Sequence, residues 1–446
     1  MGKLLDIAGA LQTVLIDAAE QLARPSGFVK RASKMTGPGF VQAMVFGSLN
    51  QPAVHLRHLA QTAALNGVEI TTQGIDQRFT EASACLMRGV LEVILGTVVS
   101  DQLGRTAETM PTAVAPEILE RFTEVELIDS TVIGLPAGLA GQWPGCNSNQ
   151  GTTAALKLDV VFDLRSGTLR GPEMRPGRAH DAAAQIVRDM PSCGALRVQD
   201  RGYFSLDRLA EIAEAGSYWL TRYKIGVQLY DEQQQPIDLL TLLRTNATVD
   251  CSVFAGAGML RLRLLGEAVP KSIAAERRRK LRLRQSKHSR TPSKQALVLC
   301  GWNVLLTNVP ATMLSLREAR ALLGARWQIE LLFKLWKSDL QIDNCSSSKP
   351  WHILTEIYAK LIAMTLQHWI LRAGVWQIPD RSLRKAAAAV RMCAPMLLQA
   401  LGNTTALRLV LKTIVRCMRA ACHLDHRRGH PSTYQTLVAG DNTTYA

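Results

Sequence analysis

Between Ala325 and Lys337 the chain reads Ala-Arg-Trp-Gln-Ile-Glu-Leu-Leu-Phe-Lys-Leu-Trp-Lys, so a single carboxylate, Glu330, stands among cations. Arg326 lies four residues before it and Lys334 four after. A helix carries all three on one face, with Lys337 one turn further along. Ile329, Leu332, Phe333 and Trp336 recur at spacings of three and four and form the stripe that such a helix turns toward a core. Taken alone, this is also the pattern of a solvated ion-pair face. Two upstream acids alter that balance. Asp129 sits inside Val125-Glu126-Leu127-Ile128-Asp129-Ser130-Thr131-Val132-Ile133, a β-branched run that predicts a strand, and Asp200 closes the short run Ala195 to Gln199 just before a Gly-containing turn. Singly, Asp129 could serve a strand edge, Asp200 a turn and Arg326 a simple pair with Glu330. Acids at strand ends can also converge, and three hard oxygen donors are the ligand set magnesium takes, enough for a pair of ions. The chemistry open to such a set is in-line cleavage or joining of a phosphodiester, with neighbouring cations on phosphate oxygens.

The three segments occur in a telling order. Asp129-Ser130-Thr131, then Asp200-Arg201-Gly202-Tyr203-Phe204, then Arg326-Trp327-Gln328-Ile329-Glu330 resemble the acid motifs of bacterial insertion-sequence transposases of the Asp-Asp-Glu class, whose catalytic fold is RNase H-like. The third is the strongest match: one branch carries Tyr-x2-Arg-x3-Glu-x6-Lys, and Arg326, Glu330 and Lys337 fall at those spacings. The tyrosine position holds Leu323 instead. The resemblance covers about residues 120 to 345. It implies that Asp129, Asp200 and Glu330 are the catalytic acids and hold two Mg2+ or Mn2+ ions, while Arg326, Lys337 and Lys334 grip DNA phosphates. It further implies cut-and-paste transposition: cleavage and strand transfer at terminal inverted repeats by a homodimer on double-stranded DNA. In relatives a tryptophan of the inserted segment stacks on a flipped base; Trp302 stands near that place, ahead of a Leu-Leu-Thr strand, and Trp327 is the second aromatic candidate. An RNase H-like structure-specific nuclease and a catalytically silent DNA-binding derivative are the alternative readings; Leu323 speaks for the latter.

Charge agrees with a polyanionic partner. Lys and Arg number 52 against 37 acids, a net charge of +15, with a pI near 9.6. Glu276 to Lys294 concentrates +8 of this in Arg277, Arg278, Arg279, Lys280, Arg282, Arg284, Lys287, Arg290 and Lys294 against one acid. A solvated loop has this composition, and so does an arm that contacts phosphates, setting affinity rather than sequence choice.

The elements needed to position these residues can be read along the chain. A length of 446 residues with 47% apolar content supports two to four domains. Residues 1–120 are helical by pattern and are expected to bind the DNA end, with Val54–Leu65 and Thr71–Cys85 as a helical pair that offers Thr72, Gln73, Gln77 and Arg78; an ordinary hairpin of helices fits equally. Residues 121–223 alternate strands (125–133, 155–163, 168–173, 195–200, 217–223) with helices at 181–190 and 205–215, an α/β mixed sheet flanked by helices. His180-Asp181 reads as the start of the first of these helices, with no catalytic role. The 130 residues between Asp200 and Glu330 exceed a bare connection, so 224–314 is an insertion: a small β-rich sheet with the basic arm, where Arg261 and Arg263 alternate with leucines and face phosphates. Residues 315–375 bring the catalytic helix and finish that domain, and 376–446 form a helical C-terminal region suited to dimerisation, ending in a polar surface tail from His423. Nine cysteines without metal spacing suggest reduced thiols in a bacterial cytoplasm. His352, Glu356, Lys360 and His368 within 351–369 argue against a membrane span.

Overall fold

Nine strands hydrogen-bond into one sheet: β1 (Val125–Leu135), β2 (Ala154–Asp163), β3 (Leu169–Pro176), β4 (Leu196–Gln199), β5 (Tyr218–Arg222), β6 (Leu229–Tyr230), β7 (Thr248–Ala255), β8 (Leu260–Ala268) and β9 (Trp302–Thr307). Their order is β3-β2-β1-β4-β5-β9-β8-β7-β6. The computed structural model describes residues 2–97, 116–146, 153–287, 289–345, 347–424 and 432–439. β1, β2 and β3 pair antiparallel, and β4 and β5 run parallel to β1, which is the RNase H-like plan. All ten positions of β2 are buried, as expected of a strand covered on both faces. The expected small separate sheet is not formed. Its strands extend the main one instead, because β9 offers both edges for pairing, to β5 on one side and β8 on the other.

The same register overturns the reading of the alternating arginines. Arg263 is 8% exposed, pairs with Asp250 at 2.5 Å and donates to the Leu314 carbonyl at 2.6 Å, while Arg261 stays exposed. The basic segment is no loose arm over most of its length: Lys271–Ser286 is a helix.

Helices fill the remainder. Gly37–Asn50 and Glu81–Gly96 from the first hundred residues, and Leu383–Met392 and Thr404–Ala421 from the last hundred, all pack on the long helix Pro350–Val375. That helix is buried around its whole circumference, so it is core rather than a membrane span; among the described residues no helix is long and apolar enough to cross a membrane. Its buried charges are paired within the protein. Lys360 meets Glu356 at 2.8 Å and donates to the carbonyls of Gln341 and Asn344. The helix expected over Thr71–Cys85 is two, Thr72–Asp76 and Glu81–Gly96, because Thr80 and Ser83 form a capping box that starts the second. Gln77 and Arg78 therefore fall in the break. The C-terminal stretch is not simply a surface tail: Thr433–Ala439 is a helix packed on Leu316–Ala325, with Leu437 buried. Arg427 to Pro431 lie outside the described residues.

Candidate active site

β1 and β4 are neighbouring parallel strands in which Leu127 stands opposite Val198. Two residues on come Asp129, within β1, and Asp200, just past the end of β4, so continuing the register brings both acids side by side at one edge of the sheet. Directly upstream, opposite one another in that register, Glu126 and Arg197 form an ion pair of 2.8 Å, each only 1% exposed. A slip of β4 by one residue would break this pair and turn Asp200 to the face opposite Asp129. Val125, Leu127, Ile133 and the inward residues of the helix Trp327–Ser338 share one core, and the helix packs on β1, so Asp129 points toward it. Glu330 lies in its first turn.

Arg326, at the junction between the helices Leu316–Ala325 and Trp327–Ser338, links the acids. Its Nη1 donates to Asp129 Oδ2 at 2.8 Å and its Nη2 to Glu330 Oε1 at 2.6 Å. Burial pushes the Asp129 carboxyl above the usual aspartate range; Glu330 and Asp200 add to this, while the Ser130 backbone N–H and Arg326 oppose it. Burial works against the Arg326 charge too, yet Asp129, Glu330 and Asp200 hold its pKa above the ordinary value. The site is thus three mutually repelling carboxylates around one guanidinium. Their donor chemistry suits a hard divalent cation. As the side chains stand, no group of three acids among the described residues encloses one, and the guanidinium bridges two of them.

The other anticipated residues spread outward from this centre. Lys337 Nζ donates to the Val132 carbonyl of β1 at 3.0 Å, Lys334 is exposed, and Trp327 is 54% exposed one residue from Arg326. On the basic helix, Arg277 donates to Asn303 Oδ1 and Arg278 to the Leu297 carbonyl; Arg279 and Lys280 pair with Glu276, and Arg282 and Arg284 are exposed. Trp302 begins β9 half-buried against the second core, and Leu323 packs against the main one. Sequence reasoning missed Arg222, at the end of β5. Burial lowers its pKa, Asp200 opposes that, and Arg201, Arg277 and Arg326 deepen it, so Arg222 sits among one carboxylate and three other cations. It also gave no role to Asp181, which accepts from Ser130 Oγ and Lys157 Nζ behind β1. Neither was visible, since each depends on partners from separate segments.

An RNase H-like sheet with two aspartates abreast and a helix-borne glutamate linked to the first by arginine is the architecture of enzymes that cut and transfer nucleic acid strands. Residues 120–366 match the family described as Transposase DDE domain, more than half of the chain, and the chain belongs to that family of DNA-binding enzymes, which use divalent metal ions. It is similar along nearly its whole length to the transposase for insertion sequence element IS231F of Bacillus thuringiensis subsp. israelensis: 25% identity over 438 residues, 92% of this chain and 89% of the relative. The IS231B transposase of Bacillus thuringiensis subsp. berliner is 27% identical over 368 residues, 77% of this chain and 75% of its own. The IS1151 transposase of Clostridium perfringens is 22% identical over 382 residues, 80% and 78% of the two chains.

Proposed function

We propose that this transposase excises and reinserts its own insertion sequence, cutting at terminal inverted repeats and joining the freed ends to target DNA. The observation that carries this reading is the register of Asp129 beside Asp200, with Arg326 tying Asp129 to Glu330. In this reading the three acids hold two Mg2+ or Mn2+ ions, which supply activation of the attacking oxygen and stabilisation of the leaving one. Arg326 exchanges its carboxylate partners for a phosphate near the scissile bond, the exchange that frees the acids. Lys337 and Lys334 hold the same strand along the catalytic helix, and Arg282 and Arg284 bind flanking phosphates through long-range attraction. The exposed indole of Trp327 is the surface available to stack on an unpaired base. The N-terminal helices bind the transposon end, and the C-terminal helices support a homodimer in which each copy acts on one end.

The test is cleavage of a labelled terminal-repeat oligonucleotide by the full chain in Mg2+. Glu330→Ala is expected to abolish cutting and leave end binding measurable, whereas cutting at wild-type rate by this variant would sink the assignment. A strand-transfer assay with target plasmid separates transposition from simple nuclease action. Leu323 is the one residue favouring a silent DNA-binding derivative, and wild-type cleavage in the same assay excludes it.

A further inference from the structure

Behind β1, on the face of the sheet away from the catalytic helix, lies a polar cluster that joins both aspartate segments. Side chains alternate along a strand, so Ser130 points opposite to Asp129. Ser130 nevertheless touches the acid directly: its backbone N–H donates to Asp129 Oδ1 at 2.8 Å. Its hydroxyl donates to Asp181 Oδ1 at 3.3 Å. That same carboxylate oxygen receives Lys157 Nζ from β2 at 2.8 Å. Lys157 also donates to the Ala179 carbonyl, and Arg175 of β3 fixes the loop by donating to the His180 carbonyl and to the buried Asp159. The second oxygen of Asp181 faces Gly202, where a Cβ would stand 3.1 Å from it. Gly202 belongs to the short turn Arg201–Tyr203 that immediately follows Asp200, and Tyr203 is buried beside Ile128 and Val161 on this back face.

Asp181 therefore contacts the residue after the first acid and the turn after the second. Its side chain is 36% exposed, while that of its partner Lys157 is only 9% exposed. Anchoring of the loop is already provided by the bonds from Lys157 to Ala179 and from Arg175 to His180, neither of which needs the Asp181 carboxylate. We propose that Asp181, oriented by Lys157, is a positioning residue that sets the spacing between Asp129 and Asp200 through Ser130 and Gly202. This rests on the proposed role of those two acids as metal ligands. Groups that orient metal ligands from behind change metal affinity or activity by about 10- to 100-fold when removed.

The experiment uses the full chain bound to its terminal-repeat oligonucleotide and compares wild type with Asp181→Asn and Ser130→Ala. Three quantities are read: the Mg2+ concentration for half-maximal cleavage, Mn2+ binding by electron paramagnetic resonance, and the melting temperature. Both variants are expected to bind DNA equally, require about tenfold more Mg2+ and bind Mn2+ about tenfold more weakly, and Ser130→Ala, which leaves the Lys157 pair intact, is expected to melt close to wild type. Metal curves that superimpose on wild type overturn the proposal, as does a loss that follows the melting temperature and disappears on cooling. If Asp181→Asn does not fold, Ser130→Ala decides, because it cuts the link and leaves the Lys157 pair intact. A wild-type chain that binds Mn2+ but cuts nothing defeats the transposition reading, and the Mn2+ comparison still decides this one.

Discussion

The two halves of the sheet are held by different means. β1 to β5 share the main core with the helical body, and their register is set at the Glu126–Arg197 pair, buried on both sides. β6 to β9 close over a second, smaller core with the helix Leu206–Glu214, and their polar joint, Arg263 with Asp250, leaves its carboxylate 41% exposed. The first half fixes where acids stand. The second half presents the basic helix Lys271–Ser286, where Arg282 and Arg284 are exposed to solvent. Precision is concentrated where a phosphorus atom must be attacked in line, and adaptability where only a phosphate backbone must be attracted.

Substitutions can break or sharpen this contrast. The largest effect is expected from Asp129→Asn, which should reduce cleavage by several orders of magnitude while the chain stays folded. Its stability carries a pH signature. Folding raises the Asp129 pKa, so the contribution of this group is complete below the ordinary aspartate range and is lost as pH climbs through the raised value. Relative to wild type, the asparagine variant should therefore gain melting temperature as pH rises from the ordinary aspartate range toward neutrality. A flat difference across that range by calorimetry would contradict the buried-carboxylate account. Next, Glu126→Gln leaves Arg197 as a buried charge facing a neutral partner and should cost about 3 to 5 kcal/mol in urea unfolding, with loss of cleavage to match. Arg263→Met acts on the looser joint: about 1 to 3 kcal/mol and a smaller effect on cleavage. Equal costs for these two would erase the distinction between the halves. Smallest, Arg282→Ala with Arg284→Ala should leave stability unchanged, weaken end DNA and random DNA alike, and lower the salt slope of binding by about 2.

Much of the acid-bearing half was legible because its signals are local. The apolar run around Asp129, the strand-turn at Asp200 and the helical spacing about Glu330 each fit within a dozen residues, and the five strands of the RNase H-like order fall within two or three residues of their expected limits. The inserted half was legible only as strands. Period-two alternation announces β8 but does not name its neighbours, so neither its joining to β9 nor the burial of Arg263 against Asp250, 13 residues earlier, could be foreseen. The Arg326 bridge was half visible: its pairing with Glu330 follows from helical spacing, its bond to Asp129 spans 197 residues. The helix expected over 181–190 is broken into the short turn Asp181–Ala183 and the helix Gln185–Arg188, with Ala184 extended between them. The contacts of Asp181 to β1 and β2 are set by the sheet. One miss was avoidable, since Thr80 three residues before Ser83 already marks a helix start inside the longer run.

The helix Pro350–Val375 imposes an order on folding. Phe79 stacks on His352 at 3.6 Å, and Ser83 meets Thr355 at 3.1 Å across 272 residues of chain. The helices within the first hundred residues therefore leave the ribosome with an apolar face whose partner has yet to be synthesised, and the intervening sheet must close while that face waits. A copy that stops before Pro350 thus lacks the helix on which Gly37–Asn50 and Glu81–Gly96 pack, and leaves their apolar faces uncovered.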